Sequence, residues 1–458
     1  MKFQIRKKGN VKEKKRIIEK CIDQSYQIRN KLSISTISWK SKFLNIKDLF
    51  KYNLVNLNTK FYPESSPIHI LYKIYNPEEP KGLKSYQNQL NKLLIITYRS
   101  NYKEQINIKN NSSYTSDCGW GCMIRSSQMI ISRMIYKIFK QIYKNRFHSD
   151  IVIKSIIPFF LDNNITMTEI NIKSSDCINI GLESYINQLN KFLDKKIIEN
   201  QYKKLYIKSI DPPFSIQKIC IIGEIFGRTC GEWFSDYELP KIYDIINETF
   251  NIIPNLSILH FNSDVEMNLV IDKCFEKIEN REEIPILEEK DYFKNEKNEL
   301  FKFKKMGAIF ISVRLGVSDI PHEYFPSIKK LFECKQFLGI IGGKVNSASY
   351  FFGYCDEDLL YLDPHFNQES INDLDEKNLM TYIYKVAYKL PLESFQPAFT
   401  IGFLFRNLIE FRNLYVFMKS FILDKLPCFH VHFNPYKEFD KLTEKKINNY
   451  INNEDDDF

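Results

Sequence analysis

A chain of 458 residues, 44% of them hydrophobic, can bury a large core and has length for one large domain with insertions or for two to three domains. Its net charge of +9 is spread over 26% charged residues of both signs, which argues against a nucleic-acid interface, where basic groups cluster on one face. No stretch approaches ~18 uncharged apolar residues, which argues against a membrane-spanning helix. The 10 scattered cysteines, with no secretory signal, predict free thiols in a reducing, cytoplasmic compartment.

Residues 1–60 read as a basic N-terminal arm, opening on "RKKGNVKEKKRIIEK", with a helix expected around Val11–Asn30. Ser85–Arg99, "SYQNQLNKLLIITYR", predicts a helix leading into an apolar run. From Cys122 onward, Met123, Ile130, Ile131, Met134, Ile135, Ile138, Phe139 and Ile142 recur at helical spacing, long enough to cross a core. Residues 146–210 and 280–304 are rich in Lys and Asn or in charge and read as surface insertions. "FSIQKICIIGEIFG" predicts a helix between them. Strands follow in "GAIFISVRLG", "FLGIIGG", "SYFFGYC" and "LLYLDPH", rich in β-branched and aromatic residues and punctuated by Gly and Pro. A cysteine on an early helix and a histidine on a late sheet make an α+β layout. Residues 426–458 form a C-terminal tail, acidic at its end.

In "SYTSDCGWGCMIRSSQM", Cys118 and Cys122 bracket a Gly-Trp-Gly turn. A structural zinc site needs about four ligands, and a redox pair favours Cys-x-x-Cys. The other cluster, Cys428, His430 and His432 in "CFHVHF", would share one face of a strand, so a metal site there stays open beside the plainer reading of a half-exposed strand. Gly119 and Gly121 permit a tight turn, and Ser116 and Asp117 are helix-capping types. Cys122 would then occupy the first helical turn, where unpaired N–H groups and the dipole favour a thiolate and an oxyanion. Of the two thiols Cys122 is the better placed, although a single cysteine is ordinarily a small buried hydrophobe.

A thiol nucleophile needs a base, and the base an orienter. Of the 7 histidines, His365 lies two residues after Asp363 in "LLYLDPHFNQ". Extended backbone puts such residues on one face roughly 6.5–7 Å apart, within reach of a carboxylate–imidazole contact. Pro364 favours an extended Asp363.

Together, "SDCGWGCMIRSSQM" and "IIGGKVNSASYFFGYCDEDLLYLDPHFNQ" closely resemble the autophagin cysteine proteases, which process and delipidate the ubiquitin-like autophagy modifier. "LLIITYRSNY", "DPPFSIQKI", "GEWF", "FISVRLGVSDI" and "QPAFTIGFLF" fit in the same order, so the resemblance spans residues 66–425 as a peptidase domain with its two insertions. It implies a papain-like α+β fold with a small extra subdomain, and a triad of Cys122, His365 and Asp363. It further implies Tyr98 as oxyanion donor alongside the Cys122 amide, Trp233 over the substrate channel, and Lys344, Val345, Asn346 and Ser347 as a gate. Cys118 stands where Thr or Ser is usual, Val345 where proline is usual, and "GEWFSD" lacks the common Gly-Pro.

The implied reaction is cleavage after a glycine in the C-terminal region of the modifier. The leaving group is a short peptide or the amine of phosphatidylethanolamine, so the enzyme meets autophagic membranes transiently through its lipidated substrate. No metal or cofactor is implied. "EFDKL", with Phe439 and Leu442, matches a modifier-docking pattern that 36 Phe and 27 Tyr also produce by chance. A papain-like deubiquitinase or acyltransferase, and a non-catalytic binder of the modifier, are the competing readings.

Overall fold

A computed structural model of the chain describes residues 60–103, 113–142, 148–162, 212–223, 226–277, 301–344, 347–371, 375–421 and 426–432, with short strands at 106–107, 170–171 and 204–205. All of these belong to the compact unit Thr59–Phe458. The arm 1–59, most of both expected insertions, the acidic tail with Phe439 and Leu442, and the hairpin residues Val345 and Asn346 lie outside the described residues.

Nine strands build the central sheet. They are β1 (Ile68–Ile70), β2 (Lys73–Tyr75), β3 (Leu256–Asn262), β4 (Met306–Arg314), β5 (Phe337–Lys344), β6 (Ser347–Cys355), β7 (Asp358–Leu362), β8 (Tyr388–Pro391) and β9 (Ala398–Phe405). The order is β8-β7-β6-β5-β9-β4-β3, with β1 pairing β6 and carrying β2. Only β3 and β4 run parallel, Met306 opposite Leu256 through Ser312 opposite Asn262, among otherwise antiparallel pairs. Among the described residues the α-helices are α1 (Gly82–Leu90), α2 (Cys122–Ile142), α3 (Ser149–Ile156), α4 (Ile216–Gly223), α5 (Glu238–Phe250), α6 (Met267–Cys274), α7 (Phe325–Lys330), α8 (Glu376–Ile383) and α9 (Leu408–Ser420). Mixed helices around a mixed sheet make this an α+β fold. None of the described helices is long and apolar enough to cross a membrane.

β5, β6 and β9 are buried almost throughout, which requires cover on both faces. On one face α2 packs against β5 and β6. It approaches closely at Gly402, where an added Cβ would lie 2.7 Å from Ile130 Cδ1. Phe403, the next residue of β9, points the other way and packs on Phe417 and Phe429 at 6.4 and 6.1 Å, so α9 covers the opposite face. α2 is therefore a central helix, buried at Cys122 and at every position from Ile124 to Phe139. The amphipathic stripe read from the sequence is wider than its apolar residues suggest, because Arg125, Arg133 and Lys137 are buried too. The helix expected to lead into an apolar run within Ser85–Arg99 is found: α1 ends at Leu90, and the apolar residues after it run to the short strand Arg99–Ser100.

Candidate active site

The turn before α2 delivers Cys122. Gly119 has φ of +90°, a left-handed value that suits glycine. The amides of Trp120 and Gly121 both donate to the Asp117 carbonyl, at 3.2 and 2.9 Å. Trp120 Nε1 donates to the Ser116 carbonyl at 3.1 Å, and the ring meets Tyr114 edge-on at 5.7 Å. α2 then starts at Cys122, which is fully buried.

The capping roles expected for Ser116 and Asp117 are not the ones found. Ser116 Oγ accepts from the Cys118 amide at 3.1 Å and donates to the Arg99 carbonyl at 2.9 Å. The Asp117 carboxylate accepts from the Arg99 amide, the Tyr102 hydroxyl and Arg125 Nε instead of from the first amides of α2.

β7 ends at Leu362 and leads into Asp363-Pro364-His365. Asp363 Oδ1 accepts from the His365 main-chain N–H at 3.0 Å and lies 2.6 Å from its Nδ1. The opposite ring nitrogen, Nε2, is 3.4 Å from Ser347 Oγ. The Cys122 thiol hydrogen-bonds the His365 ring, the Ala348 amide and the Tyr98 hydroxyl. Tyr98 stands edge-on to His365, with ring centroids 5.4 Å apart at 89°. Its amide donates to the Pro364 carbonyl at 2.9 Å, which ties the tyrosine segment to the histidine segment.

The electrostatics favour an ion pair. Burial opposes a thiolate at Cys122, but the His365 hydrogen bond and charge, the Ala348 amide and the Tyr98 hydroxyl outweigh it and hold the thiol pKa below its ordinary value. Burial also opposes an imidazolium, yet the Asp363 carboxylate and the Cys122 thiolate push the His365 pKa up to about 10. Burial, then the neighbouring thiolate, raises the Tyr98 pKa, so its hydroxyl stays protonated and donates. Chemically, such an arrangement can supply a nucleophile in Cys122, a proton carrier with an orienter in His365 and Asp363, and a neutral donor in Tyr98.

Trp233 is 37% exposed. Its loop reaches the nucleophile turn through Gly231, where an added Cβ would lie 2.2 Å from the Tyr114 hydroxyl, and Tyr114 packs on Trp120. Lys344 pairs with Ser347 across the β5–β6 hairpin, so Ser347 joins the site while the hairpin tip lies outside the described residues.

The Cys428, His430 and His432 cluster does not share one face. Cys428 is buried, both imidazoles are exposed on the short strand His430–His432, and His432 Nε2 lies 2.9 Å from Asp264. Among the described residues no group of three or more His, Cys, Asp and Glu is placed to hold a metal. The eight described cysteines are free thiols.

Sequence reasoning missed the buried charge network beneath the turn. Arg125 bonds Asp117 at 2.6 Å, Asp162 at 2.9 Å and the Tyr102 hydroxyl at 2.8 Å, and all four side chains are buried. One signal was present: an arginine one turn after Cys122, in the first turns of a helix whose apolar spacing marks it for burial.

Residues 83–416 match the family model for the peptidase C54 catalytic domain. The cysteine protease ATG4C of Xenopus laevis is 24% identical over 421 residues, covering 82% of this chain and 83% of that protein. ATG4B of Gallus gallus is 24% identical over 439 residues, covering 89% and 97%. ATG4C of Homo sapiens is 22% identical over 414 residues, covering 82% and 84%. A match across most of the chain, on an α+β fold whose central helix begins at Cys122 and whose sheet leads into Asp363 and His365, means that the chain belongs to the peptidase C54, or autophagin, family of papain-like cysteine proteases.

Proposed function

We propose that this cysteine protease acts in the cytoplasm on a ubiquitin-like autophagy modifier, cutting after a glycine in its C-terminal region. It exposes that glycine in the precursor and releases the modifier from phosphatidylethanolamine at autophagic membranes. The observation that carries this reading is the placement of Cys122 between the His365 ring and the Tyr98 hydroxyl, within a family match over residues 83–416.

The Cys122 thiolate attacks the glycine carbonyl carbon, and its C–O electron pair moves onto oxygen. The Tyr98 hydroxyl and the Cys122 amide donate to that oxyanion. When the intermediate collapses, the C–N bond breaks and His365 gives its proton to the leaving nitrogen. That nitrogen belongs to a peptide or to phosphatidylethanolamine. Water, deprotonated by His365, then cleaves the thioester and regenerates the thiolate. Asp363 fixes the ring so that Nε2 faces the sulfur. Trp233, Lys344 and Ser347 border a narrow channel that admits glycine and excludes larger side chains.

The test is mass analysis of modifier and of ubiquitin, each with a C-terminal extension, after incubation with the protein. Cleavage just after the glycine of the modifier alone supports the reading. Cleavage of ubiquitin instead identifies a deubiquitinase, and binding without cleavage identifies a modifier-binding protein.

A further inference from the structure

An oxyanion hole made from Tyr98 and the Cys122 amide draws its two donors from segments 24 positions apart in the chain. Their separation must be held by something other than local backbone. Asp117 touches both segments. On the tyrosine side, its N–H donates to the Arg99 carbonyl at 3.2 Å and its Oδ1 accepts from the Arg99 amide at 2.7 Å. Both main-chain groups of the residue next to Tyr98 are thus held by one aspartate. On the cysteine side, its carbonyl accepts the Trp120 and Gly121 amides at 3.2 and 2.9 Å, which shapes the turn into Cys122.

The carboxylate is itself fixed. It is fully buried, with Tyr102 Oη at 2.7 Å from Oδ1 and Arg125 Nε at 2.6 Å from Oδ2. Arg125 is held in turn by Asp162 at 2.9 Å and Gln128 at 3.2 Å. The turn also closes directly on the carboxylate: a Cβ at Gly121 would lie 2.4 Å from Asp117 Oδ2. Glycine is required there by close approach, because any side chain would push the carboxylate away from Arg99.

The geometry points to Asp117 as a positioning residue that sets the distance between the Tyr98 hydroxyl and the Cys122 amide. This rests on the reading of Cys122 as nucleophile and Tyr98 as oxyanion donor. Oxyanion donors act over ~2.7–3.1 Å, and a misplacement of ~1 Å costs about 100-fold. Thiolate formation depends mainly on His365, which Asp363 holds from another segment, and less on the Tyr98 hydroxyl. Loosening Asp117 therefore weakens acyl transfer more than it weakens the thiolate.

Alkylation by iodoacetamide separates these two properties. The Cys122 sulfur forms an S–C bond while the C–I bond breaks and iodide leaves with its electron pair, so no oxyanion develops. Asp117→Asn and Asp117→Ala are made in the full chain. We measure kcat and KM on the extended modifier, the Cys122 alkylation rate by mass analysis, and Tm. For Asp117→Ala the expected result is a kcat fall of about 100-fold with KM and alkylation rate within about 3-fold of wild type. Asp117→Asn keeps an oxygen acceptor for the Arg99 amide and recovers most of the loss, to within about 10-fold of wild type. Gly121→Ala gives the same split between kcat and alkylation and is the deciding variant if Asp117→Ala does not fold. Unchanged kcat in all variants overturns the proposal, as does a parallel fall of kcat and alkylation, which marks a general loosening. Failure of the underlying reading looks different: Cys122→Ala would then retain turnover, or iodoacetamide would modify another cysteine first.

Discussion

His365 is gripped by one carboxylate at two points, its main-chain N–H at 3.0 Å and its Nδ1 at 2.6 Å. The grip is local, across a single proline, and so it is readable from three consecutive residues. Replacing Cys122 by Ala removes the nucleophile, and turnover is expected to fall by at least ~10⁴ while modifier binding survives, as a pull-down would show. Cys118→Ala, whose thiol precedes the turn, keeps most activity. If Cys118→Ala were the dead variant, the nucleophile would be misassigned. Asp363→Asn is expected to lose about 10²- to 10³-fold, less than serine triads lose, because a thiolate–imidazolium pair depends less on its orienter. The pH profile carries the sign. The active pair is thiolate with imidazolium. Activity therefore falls on the acid side as Cys122 gains a proton, below the ordinary thiol range, and on the alkaline side as His365 loses its proton at about 10. Asp363 is the main group holding that imidazolium charged against burial, so the alkaline limb of Asp363→Asn moves to lower pH. An unmoved limb would remove Asp363 from the mechanism.

At the scale of elements, α2 was legible as a long helix from its apolar spacing and its start at Cys122. Its polar contents were not. Arg125, Arg133 and Lys137 sit among apolar positions, and a helical wheel assigns such residues to the solvent side. Their partners come from distant segments: Asp162 for Arg125, and the Lys335 carbonyl, 2.7 Å from Nζ, for Lys137. At Cys428 the half-exposed strand is found, but the shared face with His430 and His432 is not, since the strand begins only at His430. Lys137 has a measurable consequence. Burial, with the charges of Arg133 and Arg406, lowers its pKa from 10.5 to about 7. The unfolded chain holds this proton up to about 10.5 and the folded chain releases it near 7, so this residue adds stability as pH rises between those values. At or below pH 7 the buried ammonium is a full cost. Lys137→Met is therefore expected to raise stability by about 1 kcal/mol at pH 6, a Tm shift of about 1 °C in a unit of this size, with the gain shrinking towards pH 10. A gain that grows with pH, or a loss at pH 6, would show that the lysine's bond to Lys335 outweighs its desolvation.

At the scale of the whole molecule, β4, β5, β6 and β7 were readable one by one from β-branched and aromatic runs, but the other five strands of the sheet and the strand order were not. β9, last of the sheet strands in the chain, lies between β4 and β5, and β3 joins β4 in parallel although 43 residues separate their ends. Such pairings are decided by which buried faces fit, Phe403 against α9 and Gly402 against Ile130, and no local spacing encodes them. The surface insertion expected at 146–210 does not begin there: Val152, Ile153, Ile156 and Phe160 are buried in the core, because the Lys- and Asn-rich composition hides an apolar helical face. For the segment expected at 280–304 the structure locates both ends. Phe275 pairs with Phe303, Glu276 with Lys302 and Lys277 with Phe301 in an antiparallel ladder. The chain therefore leaves and returns at Cα atoms ~5 Å apart, a gap that a two-residue hairpin turn spans. The ladder is anchored without the intervening residues 278–300. Phe275 packs on Phe411 and Phe303 at 4.8 and 5.5 Å, and the Lys304 and Lys305 amides both donate to the Cys274 carbonyl at 2.9 Å. Replacing 278–300 by Asn-Gly is expected to preserve the fold and to raise stability by about 1–2 kcal/mol, since a shorter loop loses less entropy on closing. Turnover of a short glycine-ended fluorogenic peptide should stay within about 2-fold, because the proposed catalytic residues Cys122, Asp363 and His365 all lie in other segments. A rise in KM for the folded modifier alone, with that peptide unaffected, would assign the segment to modifier docking. A fall in Tm would show that the ladder depends on it, contrary to the anchoring by Phe411 and Cys274.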